Sequence, residues 1–183
     1  MNKFYLFIKN HVSDIFIVLL IVFFIYTGKF NVLKDRIESW WGKNQGKQVE
    51  DMSFTYLQDN KTINLSELKG KVVLINFWAT WCPPCRIEIP NFIDIYSKID
   101  KTKFELIGIS IDTKGSEIVK QYIKENNINY PVTMANKDIY SKFDEIVAVP
   151  TSYLIDKEGK IFKKYSGFYL KSTFENDIKS IIK

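Results

Sequence analysis

The chain has 183 residues, 26 of them Lys or Arg and 21 Asp or Glu, giving a net charge of +5 with a single histidine and two cysteines. That length accommodates one domain with an N-terminal extension, and the charges interleave without a long basic block or an aromatic-studded basic patch, so the composition argues against a nucleic-acid partner and for a Lys-rich solvated surface. One histidine, His11, nearly excludes His-dependent triads and multi-histidine metal sites.

Residues 15–26, Ile-Phe-Ile-Val-Leu-Leu-Ile-Val-Phe-Phe-Ile-Tyr, carry no charge. A bilayer span needs ~20 residues. Extending the run from Val12 to Gly28 approaches that length and takes in Asp14 near one interface. A cleaved signal peptide, an uncleaved anchor and a buried core helix compete for this segment. Thr27-Gly28-Lys29 follows without a small-x-small cleavage site, and no nearby cysteine offers a lipid attachment point. We therefore expect residues 1–29 to form an uncleaved signal anchor with one transmembrane helix, residues 30–48 a juxtamembrane linker, and residues 49–183 the domain. Trp40-Trp41 suit either the headgroup level or packing on the domain. Lys3 and Lys9 precede the apolar run; Lys29, Lys34, Arg36 and Lys43 follow it, so the charges do not orient it.

Residues 54–57 and 62–64 flank Gln58-Asp59-Asn60-Lys61 and read as an opening hairpin. Residues 72–77 form an almost wholly apolar strand, the pattern of a sheet covered on both faces. A helix is expected over 82–99, with a stripe of Ile89, Phe92, Ile93 and Tyr96 and a kink at Pro90. A strand over 104–111 comes next. A helix over 117–126 follows, with Ile118, Val119, Tyr122 and Ile123 inward, then a strand over 130–133 and a helix over 137–143. Residues 151–155 and 160–165 form a hairpin across Asp156-Lys157-Glu158-Gly159. The last helix is expected to start from the capping-box pattern Ser172-Thr173-Phe174-Glu175, with a stripe of Phe174, Ile178, Ile181 and Ile182.

Both cysteines lie in Cys82-Pro83-Pro84-Cys85, where the central strand gives way to the helix. This spacing reads as a redox dithiol. Disulfide exchange needs a thiolate, and unpaired N–H groups with the dipole at a helix N-terminus favour one. Cys82 is expected there, partly exposed, with Cys85 more buried one turn on and within reach of a mixed disulfide. The prolines remove N–H groups that have no helical partner in a first turn. A structural disulfide remains an alternative, although so short a loop gains little from closure. Zinc would need about four ligands, and covalent haem a histidine where Arg86 stands. Glu88, three residues beyond Cys85, lies one helical turn further and could exchange protons with Cys85; the alternative is a solvated surface glutamate.

The stretch from Val72 to Cys85, with Trp78, Trp81 and Pro90, resembles the thioredoxin superfamily, and within it the membrane-anchored thiol–disulfide oxidoreductases of the TlpA/ResA type. The resemblance implies an α/β thioredoxin fold with an N-terminal hairpin and a central α/β insertion. It implies a cis bond before Pro150, facing the dithiol, and a glutamate at the position of Glu88. It also implies a single-pass protein of the cell membrane whose catalytic domain lies on the extracytoplasmic side. Protein thiols and disulfides are then the substrates, a membrane thiol-transfer protein the electron donor, and no cofactor or metal is needed. Asn76 departs from the buried aspartate of thioredoxins proper, which shifts acid–base work towards Glu88. Val149, Thr151 and Ser152 depart from the acidic residue that cytochrome c maturation members often carry beside the cis-proline. Disulfide reduction through Cys82 and Cys85 is the expected activity. A thiol oxidase of the same fold and a Cu(I) metallochaperone using the two thiolates are the alternatives.

Overall fold

The computed structural model describes residues 45–143, 146 and 148–183. The expected anchor, and the part of the linker that holds Trp40 and Trp41, lie outside them. Among the described residues no helix is long and apolar enough to cross a membrane.

A short hairpin opens the domain, β1 (Ser53–Thr55) against β2 (Thr62–Asn64), and a 3-10 helix (Leu65–Leu68) follows. The Asn64 N–H donates to the Glu67 carboxylate at 2.7 Å, which starts that helix. Then come β3 (Val72–Trp78), α1 (Pro83–Lys98), β4 (Phe104–Ser110), α2 (Ser116–Glu125), β5 (Val132–Met134), α3 (Lys137–Lys142), β6 (Thr151–Ile155), β7 (Ile161–Ser166) and α4 (Lys171–Ile181). The main sheet has the order β5-β4-β3-β6-β7. β3 lies at its centre, parallel to β4 and antiparallel to β6.

Every residue of β3 is buried, because both faces of the sheet are covered. Val72, Leu74 and Trp78 join one core layer with Phe92 and Ile95 of α1, Val119 and Ile123 of α2, and Phe174 and Ile178 of α4. Val73, Ile75 and Phe77 point the other way, into a layer with Phe54 of β1, Ile63 of β2 and Ile139 of α3. The strand's two-residue period thus feeds two cores at once. Phe92 meets Phe174 edge-on, ring centroids 5.0 Å apart, where α1 and α4 pack.

Several expectations shift by a residue or a face. The buried stripe of α1 runs through Ile89, Phe92 and Ile95, while Ile93 and Tyr96 are only half-buried at its margin. Ile118 is exposed: Val119 and Ile123, four residues apart, define the inward line of α2, and Ile118 falls about 100° off it. The last helix starts earlier than its capping-box pattern, from Leu170 as N-cap without a side-chain cap. Ser172 therefore sits inside the first turn. The preceding residue, Tyr169, is tied by its N–H to Glu88, so a tertiary contact sets where the helix begins. Within the expected linker, the Gly46 N–H donates to the Ile161 carbonyl and Lys47 accepts from the Ile161 N–H, so pairing with the β6–β7 hairpin starts there. Gly159, at φ +83°, makes the turn of that hairpin.

Gly108 on β4 is where Trp78 and Tyr130 come closest to the sheet. A β-carbon there would lie 3.0 Å from the Trp78 Nε1 and 3.1 Å from the Tyr130 ring. Both rings are fully buried and have nowhere to move. Gly108→Ala should therefore cost about 1–3 kcal/mol by overpacking. Urea unfolding of the variant beside the parent chain measures it as a lowered midpoint at unchanged slope.

Candidate active site

The site forms at one edge of the main sheet. Trp78 ends β3 in register with Ser110, which ends β4, and Thr151, which begins β6, pairs with Phe77. The turn after β3, the loop after β4 and the loop before β6 therefore meet, a position where α/β sheets commonly bind ligands.

Cys82 is the N-cap of α1, with Pro83 and Pro84 in the first turn. The Cys85 N–H donates to the Cys82 sulfur at 3.3 Å. The prolines leave this amide as the first N–H of the helix that can serve the sulfur. Cys82 and Cys85 are joined as a disulfide, their Cα atoms 5.3 Å apart. Cys82 was expected to be partly exposed, yet it is only 2% exposed and Cys85 1%. The disulfide draws the Cys82 sulfur inward against Cys85, and the Val149 carbonyl oxygen lies 3.6 Å from it.

The Val149–Pro150 bond is cis. The Thr151 hydroxyl donates to the Ala148 carbonyl at 2.7 Å, and the Gly167 N–H donates to the Pro150 carbonyl at 2.9 Å. The proline loop is thereby held to the segment between β7 and α4, and the same segment reaches Glu88. Glu88 is buried, not solvated, at 1% exposure. One carboxylate oxygen accepts the Tyr169 N–H at 2.9 Å; the other is buried with no hydrogen-bond partner among the described residues. Burial raises its pKa to about 7 from the ordinary 4.5, and the Tyr169 N–H offsets only part of that rise. Near neutral pH this carboxyl can give or accept a proton, one helical turn beyond Cys85.

Asn76 is buried on β3 and donates from Nδ2 to the Ser152 hydroxyl at 3.0 Å, a non-titrating pair beneath the site. Trp78 is fully buried in the core, whereas Trp81, beside Cys82, is exposed. Among the described residues no group of three or more His, Cys, Asp or Glu side chains could hold a metal; the two cysteine sulfurs would be the soft ligands for one only once reduced.

Sequence reasoning missed Asp112, Thr80 and Tyr169. Asp112 is buried and accepts from the Thr80 N–H at 3.0 Å, from the Thr80 hydroxyl at 2.6 Å and from the Ser110 hydroxyl at 2.8 Å. Ser110-Ile111-Asp112 at a strand end carries a local turn signal, since the Ser110 hydroxyl accepts the Asp112 N–H. Nothing local links it to Thr80, 32 positions away.

The AhpC/TSA family model matches residues 45–164. The chain is 32% identical over 178 residues to the thiol-disulfide oxidoreductase ResA of Bacillus cereus, covering 94% of this chain and 98% of that protein. It is 30% identical over 162 residues to the thioredoxin-like protein YneN of Bacillus subtilis, covering 88% and 94%. Among solved structures, a thioredoxin-family thiol:disulfide interchange protein from Chlorobium tepidum TLS superposes with a TM-score of 0.70 at 31% identity, over 76% of this chain and 98% of that one. The thioredoxin domain of a thiol-disulfide oxidoreductase from Bacteroides vulgatus gives 0.63 at 28% identity, over 73% and 97%. The chain belongs to the AhpC/TSA family and is a thioredoxin-like thiol–disulfide oxidoreductase.

Proposed function

We propose that this oxidoreductase is anchored in the cell membrane by its N-terminal segment, faces the extracytoplasmic side, and reduces protein disulfides through Cys82 and Cys85. The observation that carries the reductive part of the reading is Glu88, buried with a single hydrogen bond among the described residues, one helical turn from a cysteine pair at a helix N-terminus; that burial raises its pKa to about 7. A reductase must place protons on thiols as it cycles, and such a group suits that task. The Cys82–Cys85 disulfide is the oxidised product of that reaction.

In the reduced chain the Cys82 thiolate, held by the Cys85 N–H and the start of α1, attacks a substrate disulfide. One substrate sulfur leaves as a thiolate and takes up a proton, and Cys82 is left in a mixed disulfide. Cys85 gives its proton to the Glu88 carboxylate and attacks the Cys82 sulfur. The second substrate thiolate departs and is protonated. The substrate gains two electrons, and the Cys82–Cys85 disulfide forms. A membrane thiol-transfer partner then returns two electrons as its own dithiol is oxidised.

The surface around the pair suits a polypeptide substrate. Trp81 and Ile87 are exposed on either side of the two cysteines. Phe168 and Leu170 are exposed on the segment that Tyr169 ties to Glu88 and Gly167 ties to Pro150. Pro150 presents no N–H, which leaves the Val149 carbonyl beside Cys82 as the backbone group an incoming strand would meet. The direction of electron flow follows the pair's potential against its compartment, and a potential as oxidising as that of a dedicated oxidase would reverse the reductase reading.

Three outcomes follow. Cys85→Ala should accumulate mixed disulfides in the native host, because Cys82 still attacks and nothing resolves it, whereas Cys82→Ala should trap little; non-reducing gels separate the two, and equal trapping would displace Cys82 as nucleophile.

Glu88→Gln should change both stability and rate with pH. Below pH 4.5 the carboxyl is protonated folded or unfolded. From 4.5 to about 7 the unfolded chain releases a proton that the folded chain keeps, so stability falls as pH rises. Relative to the glutamine variant, the parent should lose about 3 kcal/mol across that window and stay at the lower level above it. The inflection near pH 7 in the rate of exchange should vanish in the variant, with turnover slowed.

Asn44–Lys183 forms one compact unit, and among the described residues its backbone hydrogen bonds start at Gly46. A chain begun at Asn44 should remain folded, redox-active and soluble, while the full chain fractionates with membranes. Loss of fold on truncation would move residues before Asn44 into the core.

A further inference from the structure

The turn that delivers Cys82 to the helix is held from a neighbouring strand. The Cys82 N–H donates to the Ala79 carbonyl at 3.2 Å, so Thr80 and Trp81 are the two central residues of a four-residue turn that ends on Cys82. Asp112, just beyond β4, takes both donors of Thr80: the hydroxyl on one oxygen at 2.6 Å and the N–H on the other at 3.0 Å. The Ser110 hydroxyl adds a donor at 2.8 Å and accepts the Asp112 N–H at 3.1 Å. The Ile111 N–H, between them, donates to the Trp78 carbonyl at 2.9 Å and locks the loop to the end of β3.

A buried carboxylate whose partners among the described residues are all neutral donors is a costly way to pack two loops. An apolar contact would fill the same space at less expense in desolvation. What the carboxylate adds is direction, since two oxygens fix two donors on one residue and set the aim of the turn. The group that turn aims is the Cys82 sulfur, which must sit over the Cys85 N–H, at 3.3 Å, for its thiolate to be favoured.

We infer that Asp112 is a positioning residue for Cys82, acting through Thr80: the Asp112–Thr80–Ser110 clamp holds the turn so that the Cys82 sulfur keeps its place at the N-terminus of α1. This rests on Cys82 being the attacking thiol. Asp112 touches no reacting atom. Its effect passes through the Thr80 hydroxyl and amide to the two residues that follow.

The test uses the full chain in detergent, reduced and then mixed with oxidised glutathione at 25 °C, where every variant compared is folded by circular dichroism. The Cys82 thiolate attacks the glutathione disulfide and expels one glutathione thiolate. Cys85 then displaces the second and closes the protein disulfide, so two electrons pass from protein to glutathione. Thr80→Val removes only the hydroxyl and keeps both the shape and the amide bond to Asp112. It should slow the first attack about tenfold, because the aim of the turn that carries Cys82 then rests on the amide bond alone. Thr80→Ser, which retains the hydroxyl, should restore most of that rate. Asp112→Asn should slow attack as Thr80→Val does and shift the equilibrium between the pair and glutathione. A purely structural clamp would lower the melting temperature and leave the attack rate and that equilibrium unmoved. A Thr80→Val chain that attacks as fast as the parent overturns the inference, as does a loss that Thr80→Ser fails to restore. Cys82→Ala, run alongside, separates the two readings: if it attacks as fast as the parent, the assignment of Cys82 fails, and if it is inert while Thr80→Val is unimpaired, only the clamp fails.

Discussion

The hydrogen bond from the Cys85 amide to the Cys82 sulfur marks the point at which the central strand becomes the active-site helix. A sulfur as N-cap takes the place usually filled by a Ser, Thr, Asp or Asn oxygen. The helix therefore begins by presenting its first free amide, and the positive end of its dipole, to the atom that does the chemistry. Pro83 and Pro84 sharpen this by withholding their own donors. The rest of the domain maintains that junction: β3 is buried on both faces so that its end cannot wander, and α1 is pinned by Phe92 against Phe174 of α4.

Four segments far apart in sequence converge on the junction, each arriving from a different strand. The turn of residues 79–82 leaves β3, and Asp112 holds it from the end of β4. The Val149 carbonyl comes from the loop before β6. The stretch from Gly167 to Tyr169, leaving β7, bonds the Pro150 carbonyl on one side and Glu88 on the other. Parallel pairing of β3 with β4 and antiparallel pairing of β3 with β6 put the end of two strands and the start of a third at one edge. Sheet topology thus concentrates the loops around the dithiol while the strands themselves carry almost no chemistry.

Glu88 shows how function sets against stability in the same side chain. Its burial costs folding free energy once the carboxyl ionises. One backbone amide, from Tyr169, offsets part of that cost. A glutamate held this way sits between protonation states near neutral pH, which a solvated helix glutamate does not. Asn76, by contrast, is buried with the Ser152 hydroxyl and has no charge to trade. With Asn there, β3 carries no titrating side chain, and Glu88 lies on the helix.

Much of this was legible in the sequence because it is local. Cys82 and Cys85 at helical spacing after an almost wholly apolar strand announced the dithiol and its strand–helix setting. The order of strands and helices followed from hydrophobic period, and the hairpin across Gly159 from its turn residues. The placement of Glu88 one turn past Cys85 was equally local; its burial was not, because that depends on tertiary packing that brings the Tyr169 amide, 81 positions away, onto its carboxylate. The start of α4 at Leu170, ahead of the capping-box pattern at Ser172, was decided by the same long-range contact. Ile118 faced outward because packing against the core chose Val119 and Ile123, and periodicity alone leaves the inward line uncertain by one position. The approach of Cys82 to the Val149 carbonyl and the clamp on Thr80 depend on groups 67 and 32 positions apart. Which atoms can react, and on which element they sit, is written in the local order of residues 72–88. The tertiary structure alone decided how dry they are and which distant hydrogen bonds hold them, because burial and orientation belong to the packed sheet and not to any one segment.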